Sequence, residues 1–367
     1  MKCNKITVLC SGVAMGVYIP AILLDYQLRT KGIPTEVVVL ENLIADEKKK
    51  KILENKKAFH QSFRVALTGQ KINKDLGSSF DPKALEEMND RWVKENRSDF
   101  IVFSGFWIPI LKEYINREIQ KDINIDIVHM DAGISTSWKK YKSEIEHYNH
   151  IWLFNLESKK LDYELSVANQ EPIPFKERMD RYVIHGGGWG MGTYQSKIPQ
   201  LEAKNFSLDI VAYDPAEVIH SKKSNRYFMV DPDWSPWLKN KEERHEFPPF
   251  GEVKDGQKPV FRNRPEYHEL FDVIRLSKGI ISKPGGATLV DSLSSATPLI
   301  MLDPFGDYEQ KNADLWEWLG FGISYDKWKE SGYSESILEK MHQNILNSKS
   351  TCNNYVNEVL KRFEYKI

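Results

Sequence analysis

Short apolar runs alternate with longer amphipathic stretches along the whole chain. This pattern is typical of strands joined by helices in a layered α/β fold. The predicted strands of the first half are Ile6–Cys10, Glu36–Leu40, Phe100–Ser104, Ile123–Met130 and Ile151–Phe154. Those of the second half are Arg181–His185, Leu208–Ala212, Arg226–Val230, Gly279–Ser282 and Pro298–Leu302. The pattern therefore predicts two parallel sheets in succession.

A polar, proline-bearing segment at residues 166–180 separates the two series of strands and is typical of a linker. The 367 residues exceed what one hydrophobic core usually organises. We therefore predict an amino-terminal Rossmann-like domain over 1–165 and a second one over 181–345, facing each other across a central cleft. A last predicted helix, within residues 346–367, is free to pack back on the amino-terminal domain or to stay with the second.

The charge balance and the cysteines restrict the class of protein further. The chain has 51 Lys and Arg residues against 52 Asp and Glu residues. Because nucleic-acid binding rests on clustered positive charge, this balance argues against nucleic acid as a partner. The three cysteines form no Cys-x-x-Cys pair, which favours a reducing cytoplasm over a disulfide framework or a zinc site. No apolar run has the length of a membrane span, so we expect a cytoplasmic protein.

A lysine-rich stretch departs from the strand and helix rhythm of the first domain. Its lysines precede apolar residues at helical spacing, the set being Lys48–Lys51, Lys56, Lys57, Phe59, Phe63 and Leu67. One interpretation is a solvated helix face with a core stripe. The other is a basic and apolar surface, from Lys48 to Leu67, that contacts the periphery of a membrane or an acidic acceptor.

The segment most informative about chemistry follows the predicted strand Gly279–Ser282. A Pro-Gly-Gly turn there passes directly into a predicted helix. Amides at a helix N-terminus bind phosphate oxygens, because they have no partner within the helix and the helix dipole adds positive charge. Asp291, one turn into the helix, is expected to accept hydrogen bonds from the hydroxyls of a ribose. The predicted phosphate-binding residues are Pro284, Gly285, Gly286, Ala287 and Thr288.

Two more loops follow strands at the same edge of the second predicted sheet. Ligands of open α/β sheets bind beyond the carboxyl ends of the strands, so we expect these loops to face the same ligand. The glycine-rich loop after Arg181–His185 is expected to approach a diphosphate through Gly187, Gly188, Trp189 and Gly190. The polar loop after Pro298–Leu302 is expected to face a bound sugar through Glu309 and Gln310.

The stretch from Ser282 to Gly322 resembles the donor-binding segment of the glycosyltransferase family that contains the peptidoglycan N-acetylglucosaminyltransferase and the galactolipid synthases. The family pattern is Ser-x-x-Gly-x-x-Thr, an acidic residue three positions on, a proline-bounded strand, and an acidic or amide residue before Asn-Ala. The matching residues here are Ser282, Gly285, Thr288, Asp291, Glu309, Asn312 and Ala313. The segments 185–192 and 128–134 resemble two other parts of the same family.

This resemblance implies a GT-B fold and an inverting, metal-independent transfer of a sugar from a UDP-sugar, with no other cofactor. The acceptor, whose identity stays open, would be a small molecule, a lipid or a peptide held by the first domain at Gly12, Gly16 and Val17. The family commonly carries a histidine at the position of Val17, so the usual candidate base is missing. His129 and Asp131, at the end of the predicted strand Ile123–Met130, are the substitutes that we predict to be catalytic.

Two other functions fit the same residues. A UDP-sugar epimerase of this architecture would bind the donor in the same way but would need no acceptor. A non-catalytic homologue would bind the nucleotide and act as a partner subunit, and the absence of a histidine at Val17 is the reason to consider it.

Overall fold

The structure is a computed structural model that describes residues 5–71, 79–118, 121–219 and 223–363. The first half contains the strands β1 (Ile6–Cys10), β2 (Thr35–Val39), β3 (Asp99–Val102), β4 (Asn124–His129), β5 (Asn149–Trp152), β6 (Phe154–Asn155), β7 (Lys160–Leu161) and β8 (Tyr163–Glu164). Its helices are α1 (Met15–Thr30), α2 (Asp46–Gln61), α3 (Phe63–Lys71), α4 (Pro82–Lys94), α5 (Ile108–Arg117), α6 (Thr136–Lys139) and α7 (Lys142–Ile145).

Five parallel strands form the first sheet in the order β2-β1-β3-β4-β5. Their apolar side chains are buried on both faces, and β1 is buried along its whole length, as expected when helices cover both sides of a parallel sheet. All five strands were predicted from the apolar runs, and they are confirmed with small shifts at their ends. The strand order reverses between β1 and β3, so the loops after these strands diverge and leave a crevice.

The second half repeats the design. Its strands are β9 (Met179–His185), β10 (Leu208–Val211), β11 (Arg226–Val230), β12 (Phe250–Val253), β13 (Ser277–Ser282), β14 (Leu299–Met301), β15 (Gly322–Ser324) and β16 (Asn353–Asn354). Its helices are α8 (Tyr194–Glu202), α9 (Leu270–Leu276), α10 (Gly286–Ser295), α11 (Asp307–Leu319), α12 (Tyr325–Glu330), α13 (Glu335–Lys349) and α14 (Tyr355–Arg362). The large sheet has the order β12-β11-β10-β9-β13-β14-β15, in which only β12 is antiparallel to its neighbour.

The edge strands β12 and β15 are absent from the strands predicted above. Both are short, and Gly251 and Gly322 lie within them. Glycine weakens a strand pattern, so neither run stands out from loop sequence. The five central strands of this sheet are confirmed. Its strand order reverses between β9 and β13. The loops after these two strands therefore diverge and leave the second crevice of the molecule.

The carboxyl ends of the two sheets face each other, and each domain sends a segment across to the other. The helix pair α2 and α3 leaves the first domain, and its Phe59 packs against Trp189 after β9. In return, the segment between β11 and β12 covers the first domain, where Tyr18 donates a hydrogen bond to the carbonyl of Glu246 (2.7 Å). Both segments are additions to a plain strand and helix alternation.

The last described helix, α14, packs on the first domain. Its Arg362 pairs with Asp126 of β4, and Tyr355 lies 5.8 Å from the ring of Tyr163. The short strand β16 before it runs parallel to β8. Residues 364–367 of the predicted terminal segment lie outside the described residues.

Candidate functional site

Two loops meet at the point where the strand order of the second sheet reverses. The strands β9 and β13 are parallel neighbours, and His185 at the end of β9 lies opposite Ser282 at the end of β13. The glycine loop after β9 and the Pro-Gly-Gly turn after β13 therefore begin side by side. Crevices at such reversals are where open α/β sheets bind their ligands.

The turn after β13 leaves bare amides at the start of α10. Gly285 is the N-cap residue and supplies no side-chain cap. The amide of Leu289 donates to the carbonyl of Gly285 (3.1 Å) as the first helical bond. The amides of Gly286, Ala287 and Thr288 precede that bond and have no carbonyl partner in the helix. Together with the helix dipole, they form a site suited to an anion.

The glycine loop is fixed by a buried histidine. The amide of Gly187 donates to Nδ1 of His185 (3.0 Å), and burial lowers the pKa of His185 to about 3, so the ring is neutral. Gly187 and Gly190 have φ values of 70° and 60°, in the left-handed region that favours glycine. A Cβ atom on Gly190 would also lie 2.6 Å from His60, so no other residue fits there. His185 therefore orients the loop.

A lysine that the sequence did not single out lies between these two loops. Nζ of Lys283 is 3.8 Å from the ideal Cβ position of Gly187 and 3.3 Å from that of Gly285. It pairs with Glu309, whose other oxygen accepts a hydrogen bond from the amide of Phe305 (2.7 Å). Lys283 occupies an unspecified position of the motif, so its spacing gave no signal. Its positive charge lies beside the amides at the start of α10, which makes this place more suited to an anion.

The polar loop after β14, predicted to face a sugar through Glu309 and Gln310, has a more specific arrangement. Glu309 is only 2% exposed, and its carboxylate is engaged by Lys283 and by the amide of Phe305, so it anchors Lys283 rather than facing open space. Gln310 is exposed and donates a hydrogen bond to Asp314 (2.8 Å) on the next turn of α11. In this arrangement, Gln310 is the residue of the pair that is free to reach a ligand by changing its rotamer.

Asp291 has a partner that the sequence did not identify. Nε2 of His268, which precedes α9, lies 2.9 Å from Oδ1 of Asp291, and both side chains are buried. Thr288, on the first turn of the same helix α10, is buried as well. A histidine hydrogen-bonded to a carboxylate orients it, so His268 belongs with Asp291 in any account of the site.

The first domain contributes Asp131 to the other side of the anion site. Nδ2 of Asn312 donates to Oδ1 of Asp131 (2.8 Å) and to the carbonyl of Pro284 (2.8 Å), while the amide of Ala132 donates to Oδ1 of Asn312 (2.6 Å). Oδ1 of Asp131 lies 3.3 Å from the ideal Cβ position of Gly286. The carboxyl group is therefore held against the start of α10 from the opposite domain.

The pKa of Asp131 is raised towards neutral pH. Burial raises its pKa to about 7; the hydrogen bond from Asn312 and the charge of Lys283 act in the opposite sense, and the charge of Glu309 adds to the rise. A carboxyl group with a pKa near the working pH is suited to general acid or base chemistry.

His129, the other predicted catalytic residue, has a different environment. It shares a face with Ile125 and Ile127, as predicted, but this face packs against the helix layer of the first domain. Its ring is 2% exposed and stacks on Trp152 at 3.8 Å, and Nε2 lies 2.9 Å from Nδ1 of His150. Burial lowers the pKa of His129 to about 3, which makes it a weak base. In this arrangement His129 supports the core, and Asp131 alone faces the cleft.

The predicted acceptor loop is largely covered. A buried carboxylate, Glu41, accepts hydrogen bonds from the hydroxyl of Ser11 and the amide of Gly12, both at 2.6 Å. A Cβ atom on Gly12 would lie 2.6 Å from Pro236, which comes from the second domain. Val17 packs against the core, whereas the space beside Gly16 is open. The loop is therefore open beside Gly16 and closed beside Gly12.

The described ranges contain neither a candidate metal-binding cluster nor a candidate membrane-spanning helix. No three side chains of His, Cys, Asp or Glu are grouped there so as to hold a metal ion. No helix in those ranges is long and apolar enough to cross a membrane.

Solved structures of several glycosyltransferases have a similar fold. MurG from Acinetobacter baumannii has 11% sequence identity and a TM-score of 0.53, and the match covers 99% of this chain and 100% of that one. Spinosyn rhamnosyltransferase SpnG has 9% identity and a TM-score of 0.58, with the same coverage. UGT89C1 from Arabidopsis thaliana, complexed with UDP-L-rhamnose, has 10% identity and a TM-score of 0.57, again with 99% and 100% coverage.

No protein-family model and no curated protein sequence matches the chain. The structural matches extend over nearly the whole chain at low identity, so they define its fold. The chain has the GT-B fold that MurG and these glycosyltransferases share, and the fold class predicted from the sequence is confirmed.

Proposed function

We propose that the protein is a glycosyltransferase that moves a sugar from a nucleoside diphosphate sugar to an acceptor hydroxyl. The observation that carries the proposal is the placement of Asp131 from the first domain against the bare amides of α10 in the second. A leaving diphosphate on those amides and a base facing it from the other domain are the two groups that such a transfer needs.

The donor half of the proposal rests on positive charge without a metal ion. The diphosphate lies against the glycine loop and the start of α10, and Lys283 between them neutralises the charge that develops on the leaving oxygen. Asp291, oriented by His268, accepts hydrogen bonds from the hydroxyls of the ribose. We propose uridine as the nucleoside of the donor, in line with the UDP-L-rhamnose bound to UGT89C1, while SpnG has been solved with thymidine diphosphate.

The transfer itself inverts the configuration of the sugar. The carboxylate of Asp131 takes the proton of the acceptor hydroxyl as the oxygen attacks the anomeric carbon from the face opposite the diphosphate. The bond between that carbon and the diphosphate oxygen breaks, and its electron pair leaves with the nucleotide. Asn312 holds Asp131 in place for this step. Closure of the two domains excludes water, which otherwise competes as an acceptor.

We also propose a cytoplasmic protein whose α2 helix contacts an anionic surface. Lys50, Lys51 and Lys57 of α2 are exposed, and Leu53 of the same helix and Val65 of α3 are 46% and 48% exposed. Such a face suits a membrane of anionic lipid or an acidic acceptor. Binding to vesicles of phosphatidylglycerol but not of phosphatidylcholine is the expected result, and equal binding to both would contradict it.

The ribose contact gives a direct test of the donor site. Replacing Asp291 with alanine is expected to weaken UDP binding by about 1 to 3 kcal/mol, because it removes hydrogen bonds to a charged group. Isothermal titration with UDP measures the effect. Asp255→Ala, which removes an exposed carboxylate in the turn after β12, is the matched control and should bind UDP like the natural protein. Unchanged affinity in Asp291→Ala would refute the ribose contact.

A further inference from the structure

The helix pair α2 and α3 belongs to the first domain by its position in the chain but docks on the loops of the second. Lys56 lies over the ring of Tyr213, with Nζ 5.0 Å from the ring centre. The ring of Phe59 is 5.8 Å from that of Trp189 in the glycine loop. The ring of Phe63 is 6.2 Å from that of Phe305, which follows β14. These contacts touch the loops after three strands of the second sheet.

His60 is the polar centre of this docking. Its Nδ1 lies 2.8 Å from the carbonyl oxygen of Gly190, and its Nε2 pairs with the carboxylate of Glu217. A carbonyl and an ionised carboxylate only accept hydrogen bonds, whereas a neutral imidazole has a single N–H to donate. Both contacts are therefore hydrogen bonds at the same time only when both ring nitrogens are protonated. The docked arrangement requires His60 as an imidazolium.

The surroundings of His60 favour this charged form. Burial by itself lowers the pKa of His60, but the hydrogen bonds to Glu217 and Gly190 and the charges of Glu217 and Asp214 raise it above its usual value. The ring of Tyr213 also packs on His60 at 4.4 Å. Lys56 of α2 lies over the Tyr213 ring, and burial lowers the pKa of Lys56 to about 8.

Glu217 is held in position for its pairing with His60 by other residues of the second domain. It accepts hydrogen bonds from the hydroxyl of Tyr194 (3.0 Å), the amide side chain of Gln195 (2.7 Å) and the backbone amide of Tyr213 (3.1 Å). Burial raises the pKa of Glu217, but the pairing with His60 and the hydrogen bonds from Tyr213 and Tyr194 lower it by more, so the net shift is downward. The carboxylate is thus ionised and preorganised, whereas α2 itself has no fully buried residue.

We infer that α2 and α3 form a lid over the donor loops, latched by protonated His60 on Glu217 and the Gly190 carbonyl. The inference rests on the proposed function, because the loops that the lid covers are those assigned to the diphosphate. The docked lid slows entry and exit of the nucleotide. Since docking fixes a proton on His60, the latch is fully formed below the ordinary pKa of histidine and is lost as the pH rises through the raised pKa of the docked state.

Hydrogen–deuterium exchange of the full-length protein without nucleotide tests the latch. We expect the amides of 46–61 to be protected at pH 6 and to lose protection as the pH rises to 9, after correction for intrinsic exchange. His60→Gln, which can donate a hydrogen bond but carries no charge, is expected to be unprotected throughout. Lys57→Gln removes an exposed charge of the same helix and should match the natural protein. Protection that is independent of pH, or unchanged in His60→Gln, would overturn the inference.

Stopped-flow binding of UDP at pH 6 tests the consequence for the site. With the latch broken by His60→Gln, we expect the association and dissociation rate constants both to rise about tenfold, the order of effect of one charged hydrogen bond, and Kd to stay nearly the same. Equal rate constants in the natural protein and in His60→Gln would refute the lid. If UDP binds to neither, the proposed function fails, and the exchange experiment alone decides on the latch.

Discussion

Replacing Asp131 with asparagine is expected to lower kcat/KM for sugar transfer by about 10²- to 10⁴-fold, the usual contribution of a general base. Asparagine preserves the shape of the side chain, and its oxygen still accepts the hydrogen bond from Asn312. At pH 6, where the raised pKa keeps Asp131 largely protonated, affinity for UDP should remain nearly unchanged, because the phosphate and ribose contacts are intact. Steady-state kinetics together with titration of UDP separate the two effects. Asp122→Asn, an exposed carboxylate before β4, is the control.

The pH dependence of the same variant gives an independent check. Burial raises the pKa of Asp131 to about 7, and only the ionised carboxylate takes a proton, so kcat/KM of the natural protein should rise with pH through about 7 and then level off. In Asp131→Asn this rise should vanish. Because the folded pKa lies above the unfolded value, ionisation of Asp131 destabilises the fold as the pH rises from about 4 to 7.

Asp131→Asn should therefore be more stable than the natural protein at pH 8, which distinguishes a lost base from a damaged fold. Full activity in Asp131→Asn would remove Asp131 as the base. Nucleotide binding by the natural protein without turnover of any acceptor would instead favour the non-catalytic alternative.

Replacing Lys283 with alanine is expected to weaken UDP binding by about 1.5 to 3 kcal/mol, roughly 10- to 150-fold, because a charged hydrogen bond to the diphosphate is lost. Nζ of Lys283 lies beside both loops assigned to the phosphates. Affinity for uridine, which has no phosphate, should change far less. Titrations with UDP and uridine measure the difference.

The controls for Lys283 address its buried partner. Lys283→Ala leaves the carboxylate of Glu309 buried without its cation, so Lys283→Ala with Glu309→Gln is needed to separate lost binding from strain. Lys278→Ala, at the opposite end of β13, removes an ion pair with Glu335 (2.6 Å) and should leave UDP affinity unchanged. An equal loss of affinity for UDP and for uridine would show that Lys283 does not contact the phosphates.

The central strands and the phosphate loops could be predicted because their signals are local. A buried parallel strand such as β13 is a continuous apolar run, and a Pro-Gly-Gly turn before a helix is visible in the residues themselves. Short edge strands lack such a run. Lys283 and His268 escaped notice for a related reason, since neither has a characteristic spacing and each acquires its role from a partner, Glu309 or Asp291, that is distant in the chain.

Contacts between the domains are the part that no local pattern reveals. His129 and Asp131 end the same strand and appear equivalent in the sequence, but only Asp131 meets Asn312 of the other domain. The stripe of Phe59 and Phe63 was recognised as one apolar face, whereas its partners Trp189 and Phe305 depend on how the two domains face each other.

A crystal structure with UDP is the most direct test of where the donor binds. We expect electron density for the diphosphate between the glycine loop 186–192 and the amides of Gly286 to Thr288, with Lys283 within hydrogen-bond distance and the ribose on Asp291. Density for UDP elsewhere on the molecule, with those amides still free of phosphate, would contradict it.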